Sequence, residues 1–158
     1  MPDLLVRLYD LPPLESAVER VAAAGFQIRR ALAPEKHVIL PWIEEVFSPA
    51  WASECEVAFS RLPLACFVAT QEQKLCGFSA YEATCRNFFG PLGVTEEYRC
   101  EGLGIALLLS GLHAMRNEGY AYAIIGGAGP VDFFEKAVSA VPIEHSTPGL
   151  YQGLLRMR

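Results

Sequence analysis

The sequence predicts a mixed α/β domain, a sheet flanked by helices with an N-terminal strand-helix extension, and three observations carry that prediction. Between Asn87 and Tyr120 the hydrophobic period changes. Asn87, Phe88, Phe89, Leu92, Gly93 and Val94 have strand character, whereas Ile105, Leu108, Leu109, Leu112 and Met115 recur at helical spacing. Two apolar runs, residues 64–70 and 75–82, flank the polar turn Gln71-Glu72-Gln73-Lys74 and read as an antiparallel hairpin. Along the rest of the chain, apolar stripes at helical spacing alternate with short strand-like runs, the pattern of a layered sheet and helices.

Residues 4–9 are strand-like, and Pro12-Pro13 introduces Leu14, Ala17, Val18, Val21 and Ala22 at helical spacing, stopped by Gly25. Residues 1–25 therefore read as an extension, whose amphipathic helix either covers the chain's own core or meets a second subunit as a homodimer. Phe26, Ile28 and residues 29–32 form the next expected strand. Pro34 opens a helix marked by Val38, Ile39, Trp42, Ile43 and Val46, with a kink or a late start at Pro41. Ser48-Pro49 reads as an N-cap and first-turn proline before the stripe Trp51, Cys55, Ala58, Phe59 and Leu62. After the hairpin and the long helix come a strand at 121–125, the turn 126–129, a short helix through Phe133, Phe134 and Ala137, and two closing strands at 141–144 and 151–155.

At 158 residues, 52% of them hydrophobic and 20% charged, the chain suffices for one domain over 1–158 that buries close to ~70% of its unfolded surface. The net charge of -5 argues against nucleic acid and anionic membranes as partners, since both reward a basic field. Charged residues interrupt every long apolar stretch, so no membrane span is expected. Cys55, Cys66, Cys76, Cys85 and Cys100 are odd in number and never form a Cys-x-x-Cys pair. That pattern, without a signal peptide, predicts a reduced cytoplasmic protein with no metal site.

The turn Arg99-Cys100-Glu101-Gly102-Leu103-Gly104 sits where the helix through Ile105 begins. The first N–H groups of a helix lack intrahelical partners and the dipole is positive there, while Gly102 and Gly104 carry no side chain to keep an anion away. A phosphate fits such a place. A P-loop needs Gly-Lys-Ser/Thr, but Gly104 is followed by Ile105-Ala106; a dinucleotide turn needs a third small residue where Leu107 stands.

With Val94-Thr95-Glu96-Glu97-Tyr98 before it, the turn resembles motif A of the GNAT superfamily, the acyl-CoA N-acyltransferases, and the likeness extends more loosely over residues 31–155. The element order is also that of the family. The resemblance implies a central, mostly antiparallel, splayed sheet flanked by helices, with acetyl-CoA as co-substrate. Arg99, Cys100, Glu101, Gly102, Leu103, Gly104 and Ile105 would hold its pyrophosphate, Leu92, Gly93 and Val94 its pantetheine arm, and Phe134 would also contact the cofactor. Gly90-Pro91-Leu92-Gly93 agrees, since proline withdraws a ladder donor and glycine favours a bulge, which would open a V-shaped cleft. Gly126 to Gly129 either lets backbone approach the acyl chain or is merely a flexible turn.

Acyl transfer needs a polarised carbonyl, a neutral amine and a leaving thiolate. The N–H near Val94 is the candidate for the first. An alkyl amine is mostly protonated at neutral pH, so a base or a water chain must take its proton. Where some relatives carry a glutamate this chain has Phe88 and Phe89, leaving Glu82, Asp132 and His145 as candidates near the cleft. Many relatives place a general-acid tyrosine where Phe134 stands, and Tyr122 or Tyr151 could substitute. A thiol ionises near ~8.5, so unassisted departure is also feasible. Glu44, Glu45, Glu54, Glu82, Asp132 and Glu144 on the expected acceptor side favour a small cationic amine. The other class of function open to the sequence is a non-catalytic acyl-CoA-binding or sensing module.

Overall fold

The computed structural model describes residues 1–156. Within them, seven strands make one sheet: β1 (Leu4–Arg7), β2 (Gln27–Arg30), β3 (Cys66–Gln71), β4 (Lys74–Tyr81), β5 (Phe88–Val94), β6 (Tyr122–Ile125) and β7 (Val141–Pro142). Their spatial order is β2-β3-β4-β5-β6-β1-β7, and every neighbouring pair is antiparallel except β5 with β6. The helices are α1 (Leu14–Ala23), α2 (Lys36–Val46), α3 (Pro49–Ala58), α4 (Leu103–Asn117) and α5 (Val131–Val138). None of the described helices is long and apolar enough to cross a membrane.

Local chemistry accounts for the joints. Glu72 and Gln73 both take positive φ, 49° and 66°, which suits the twist of a two-residue hairpin turn between β3 and β4. Ser48 caps α3 by accepting the Trp51 N–H at 3.1 Å, with Pro49 in the first helical position. Helix α2 begins at Lys36 and runs through Pro41, so the late start allowed for at that proline does not occur.

The two sheet faces are covered differently. Helix α4 presses on one face. A Cβ on Gly111 would lie 2.5 Å from the Phe89 ring, and Ser79 Oγ donates to the Leu107 carbonyl at 3.0 Å. Val21 of α1 joins Leu103, Ala106 and Leu107 in the core on this side. On the other face, Phe47 and Trp51 meet Phe78, with ring centroids 5.6 and 6.1 Å away.

The termini depart from the sequence reading. Strand β1 belongs to the sheet itself, paired from Leu4↔Ile125 to Arg7↔Tyr122 with β6 on one edge and with β7 on the other. Leu4, Val6 and Leu8 are fully buried, so the N-terminal segment contributes core as well as cover. The strand expected at 151–155 is absent. Gly149–Tyr151 instead forms a 3-10 turn, and Leu155 is 94% exposed. Gly149 and Gly153 take positive φ, 62° and 77°, which breaks an extended strand, and β1 occupies the place between β6 and β7.

Candidate active site

Strands β5 and β6 pair only through Phe88↔Ile124 and Phe89↔Ile125, then part. Separation begins at Gly90-Pro91, where φ of Gly90 is 127° and proline has no N–H to offer β6. On its other edge β5 remains paired with β4 through Gly77↔Val94, Phe78↔Gly93 and Ser79↔Leu92, and Thr95 N–H donates to the Cys76 carbonyl at 2.9 Å. Because antiparallel residues alternate in the direction of their hydrogen bonds, Leu92 and Val94 turn their N–H and C=O groups away from β4 and into the gap. Arg99 Nε reaches the Val94 carbonyl from that side at 3.4 Å.

The gap ends at the start of α4. Gly102 sits at the N-cap with φ 87° and ψ 5°, offers no side-chain cap, and accepts the Ala106 N–H at 3.1 Å. The N–H groups of Leu103, Gly104 and Ile105 thus have no intrahelical partner, at the positive end of a 15-residue helix. A Cβ on Gly102 would lie 3.4 Å from Arg20 Nε, so this α1 side chain crosses the turn. Gly104 faces the Phe133 ring of α5, where a Cβ would stand 3.4 Å from Cζ.

On the opposite side, aromatic rings wall β5. A Cβ on Gly93 would be 2.7 Å from Phe47 and 3.0 Å from Trp51. One turn beyond Trp51, Glu54 Oε2 accepts the Thr84 hydroxyl at 3.2 Å, and burial pushes its carboxyl above the ordinary range against that hydrogen bond. Tyr151 stands where the strands part, its hydroxyl 2.6 Å from the site of a Cβ on Gly126. Burial raises the Tyr151 phenol, helped by the charges of Glu54 and Asp3, and the neighbouring Thr84 hydroxyl opposes this.

The N-terminus fixes the floor. Asp3 Oδ1 accepts the Gly127 N–H at 2.8 Å, and Ala128 N–H donates to the Pro2 carbonyl at 2.9 Å. The turn after β6 is therefore tied at both residues.

Known structures match this arrangement. A glucosamine N-acetyltransferase region in a fungal multidomain GH3 β-N-acetylglucosaminidase superposes with a TM-score of 0.73 at 15% identity, over 90% of this chain and 19% of that one. A GCN5-related N-acetyltransferase from Sphaerobacter thermophilus gives 0.65 at 15% identity, over 90% and 48%. A GNAT family acetyltransferase from Brucella melitensis in complex with acetyl-CoA gives 0.52 at 21% identity, over 70% and 80%. This chain has the GNAT fold. The chain spans about a fifth and about half of the first two proteins, and at these identities the likeness is one of fold. No family model and no curated protein matches the sequence.

Within the GNAT fold, the residues singled out by sequence separate into those the structure gathers and those it scatters. Leu92, Gly93 and Val94 line one arm of the gap, and Gly102, Leu103, Gly104 and Ile105 its end, with Arg99, Cys100 and Glu101 exposed just before. Leu103 points its side chain into the core and lends only backbone.

Phe134 faces inward. It is 5% exposed in the core, on the inward side of α5 with Val138, and Phe133 is the ring that meets Gly104. Helix α5 starts at Val131, which turns 134 and 138 inward together.

Glu82 closes the β4–β5 connection, accepting the Asn87 N–H with one oxygen and the Tyr120 hydroxyl at 3.0 Å with the other. Asp132 and His145 are exposed, without a hydrogen-bond partner among the described residues. Tyr122 pairs with Arg7 at the far end of β6 from the gap. Arg20 and Thr84 escaped the sequence reading. Nothing local marks Arg20, and only the contact between α1 and the turn brings it into place.

Proposed function

We propose that this chain binds acetyl-CoA in the gap between β5 and β6 and transfers the acetyl group to the primary amine of a small cationic acceptor, by direct attack in a ternary complex. The observation that carries the reading is the parting of β5 and β6 beside a helix start whose first N–H groups are free. Those donors, with Arg20 and Arg99 near them, suit a pyrophosphate. Leu92 and Val94 offer strand-like hydrogen bonds to the amides of a pantetheine arm. The Brucella melitensis protein with this fold was solved with acetyl-CoA.

The acceptor reading rests on the opposite wall. Trp51 and Phe47 offer aromatic surface, and Glu54 is a half-buried carboxylate that joins no ion pair among the described residues. A protonated amine gains from both. The non-catalytic alternative draws on one observation, that α5 presents phenylalanines 133 and 134 and no hydroxyl. Thermal melting with acetyl-CoA, followed by CoA-thiol release with polyamines, amino acids, aminoglycosides and short peptides, tests both. Stabilisation with turnover of a cationic amine supports transfer. Stabilisation with silence across the panel favours the binding module, and no stabilisation sinks the cofactor assignment.

A further inference from the structure

We infer that Tyr151 is the proton donor to the departing CoA thiolate and Glu54 the base that neutralises the incoming amine, with Thr84 holding the two together. The inference rests on the acetyl-transfer reading above and assigns the roles that α5 and β5 leave vacant.

Position is the first argument. Strand pairing between β5 and β6 ends at Phe89↔Ile125, so Gly126 is the next residue along β6, at the apex of the gap. Tyr151 Oη comes closer to that glycine than any side chain there could tolerate, 2.6 Å from an ideal Cβ, and Phe88 lies 2.9 Å from the same point. An extended arm bonded to Leu92 and Val94 and running to the apex would bring its terminal thioester to this hydroxyl. The 3-10 turn Gly149–Tyr151 makes the delivery possible, since a strand at 151–155 would have carried the side chain elsewhere.

Connectivity is the second. Thr84 donates to Glu54 Oε2 at 3.2 Å and also neighbours the Tyr151 phenol, so α3, the β4–β5 connection and the C-terminal turn meet at one hydroxyl. Glu54 follows the aromatic wall beside Gly93, on the side of the sheet away from α4. An amine seated against Trp51 would be on the same side of the sheet as Glu54.

The chemistry balances as follows. The ammonium gives one proton to Glu54, and the freed nitrogen lone pair forms the C–N bond. The C–S bond breaks with its electron pair on sulfur, which takes the Tyr151 proton. The nitrogen then gives its second proton to the Tyr151 phenolate, and Glu54 releases its proton to solvent. Asp3, Glu82 and Cys85 share this surrounding. Burial, with the charges of Glu54 and Asp3, favours a protonated Tyr151, and burial makes Glu54 bind a proton more readily than an exposed glutamate.

The test uses the whole chain, Tyr151→Phe and Glu54→Gln. Acetyl-CoA affinity is measured by calorimetry, and CoA-thiol release with the best amine of the panel is followed from about pH 5 to about pH 10. Carbon-13 tyrosine labelling adds a readout free of the acceptor, the Tyr151 signal being identified by its loss in Tyr151→Phe. Both variants should bind acetyl-CoA as the parent does. Tyr151→Phe should lower kcat by about tenfold to a hundredfold and remove the alkaline fall in rate. Glu54→Gln should remove the acid limb, which lies above the ordinary carboxylate range. The Tyr151 signal should shift with acetyl-CoA and not with the adenosine bisphosphate fragment of CoA.

Unchanged kcat and pH limbs in Tyr151→Phe overturn the inference, as does an affinity loss that matches the loss of kcat. A Tyr151 signal indifferent to bound acetyl-CoA, or binding with no amine acetylated, does the same while leaving the cofactor site standing. Failure of the parent to bind acetyl-CoA overturns the functional reading instead.

Discussion

The two walls of the gap are built by different means. On the α4 side the gap-facing groups are backbone: the N–H groups of Leu103, Gly104 and Ile105, and the edge of β5 at Leu92 and Val94. Opposite, they are side chains from separate parts of the chain, Trp51 and Glu54 from α3, Thr84 from a connection and Tyr151 from the C-terminal turn. A backbone site needs only a turn geometry and small residues, so a short sequence can encode it. A side-chain site exists only once distant segments meet.

The largest expected effect breaks the backbone wall. Gly104→Asp sets a carboxylate where the proposed pyrophosphate would lie and pushes a Cβ toward Phe133. At a hundredfold excess over Kd, acetyl-CoA stabilises a native protein by about 2.7 kcal/mol. That increment should vanish in the folded variant. An equal rise in Tm for parent and variant would move the phosphates elsewhere.

That asymmetry explains what the sequence disclosed. The change of period around Gly102, the hairpin at 72–73 and the Ser48 cap are local, and the structure repeats them. Gly90-Pro91 predicted the parting of β5 from β6 because a missing donor and a missing Cβ act where they stand. The exchange at the sheet edge was hidden. Residues 4–7 and 151–155 both read as strands, and only the assembled sheet shows β1 on the edge of β6 and a 3-10 turn in the tail. The orientation of Phe133 and Phe134 was hidden for a related reason, since the start of α5 at Val131 sets which of the two adjacent rings turns inward. Arg20 and Thr84 acquire meaning only through contacts across the chain.

Phe134→Tyr sharpens the assignment in α5. A hydroxyl added in the core, without a partner, should cost about 1–3 kcal/mol in denaturant unfolding and leave acetylation no faster. A gain in turnover would return the acid role to α5.

Gly126→Ala probes the apex without touching Tyr151 itself. The new methyl would stand 2.6 Å from the phenol oxygen, so the ring must move. We expect kcat to fall by about tenfold, near 1.4 kcal/mol in the barrier, with acetyl-CoA affinity held. Parent-like turnover would mean that the ring position is immaterial.

The smallest effect belongs to Arg20. Exposed on α1, it faces the turn across solvent, and Arg20→Ala should weaken acetyl-CoA by roughly 0.2–1 kcal/mol, less at high salt. An affinity loss independent of ionic strength would point to a packing role instead.

A crystal structure with acetyl-CoA tests the account most directly. It should show the pyrophosphate on the N–H groups of Leu103, Gly104 and Ile105, the pantetheine along Leu92 and Val94, and the thioester beside Gly126 within hydrogen-bond reach of Tyr151. Acetyl-CoA seated elsewhere, for instance in the 770 Å³ hollow by Arg29 and Glu35, would contradict it.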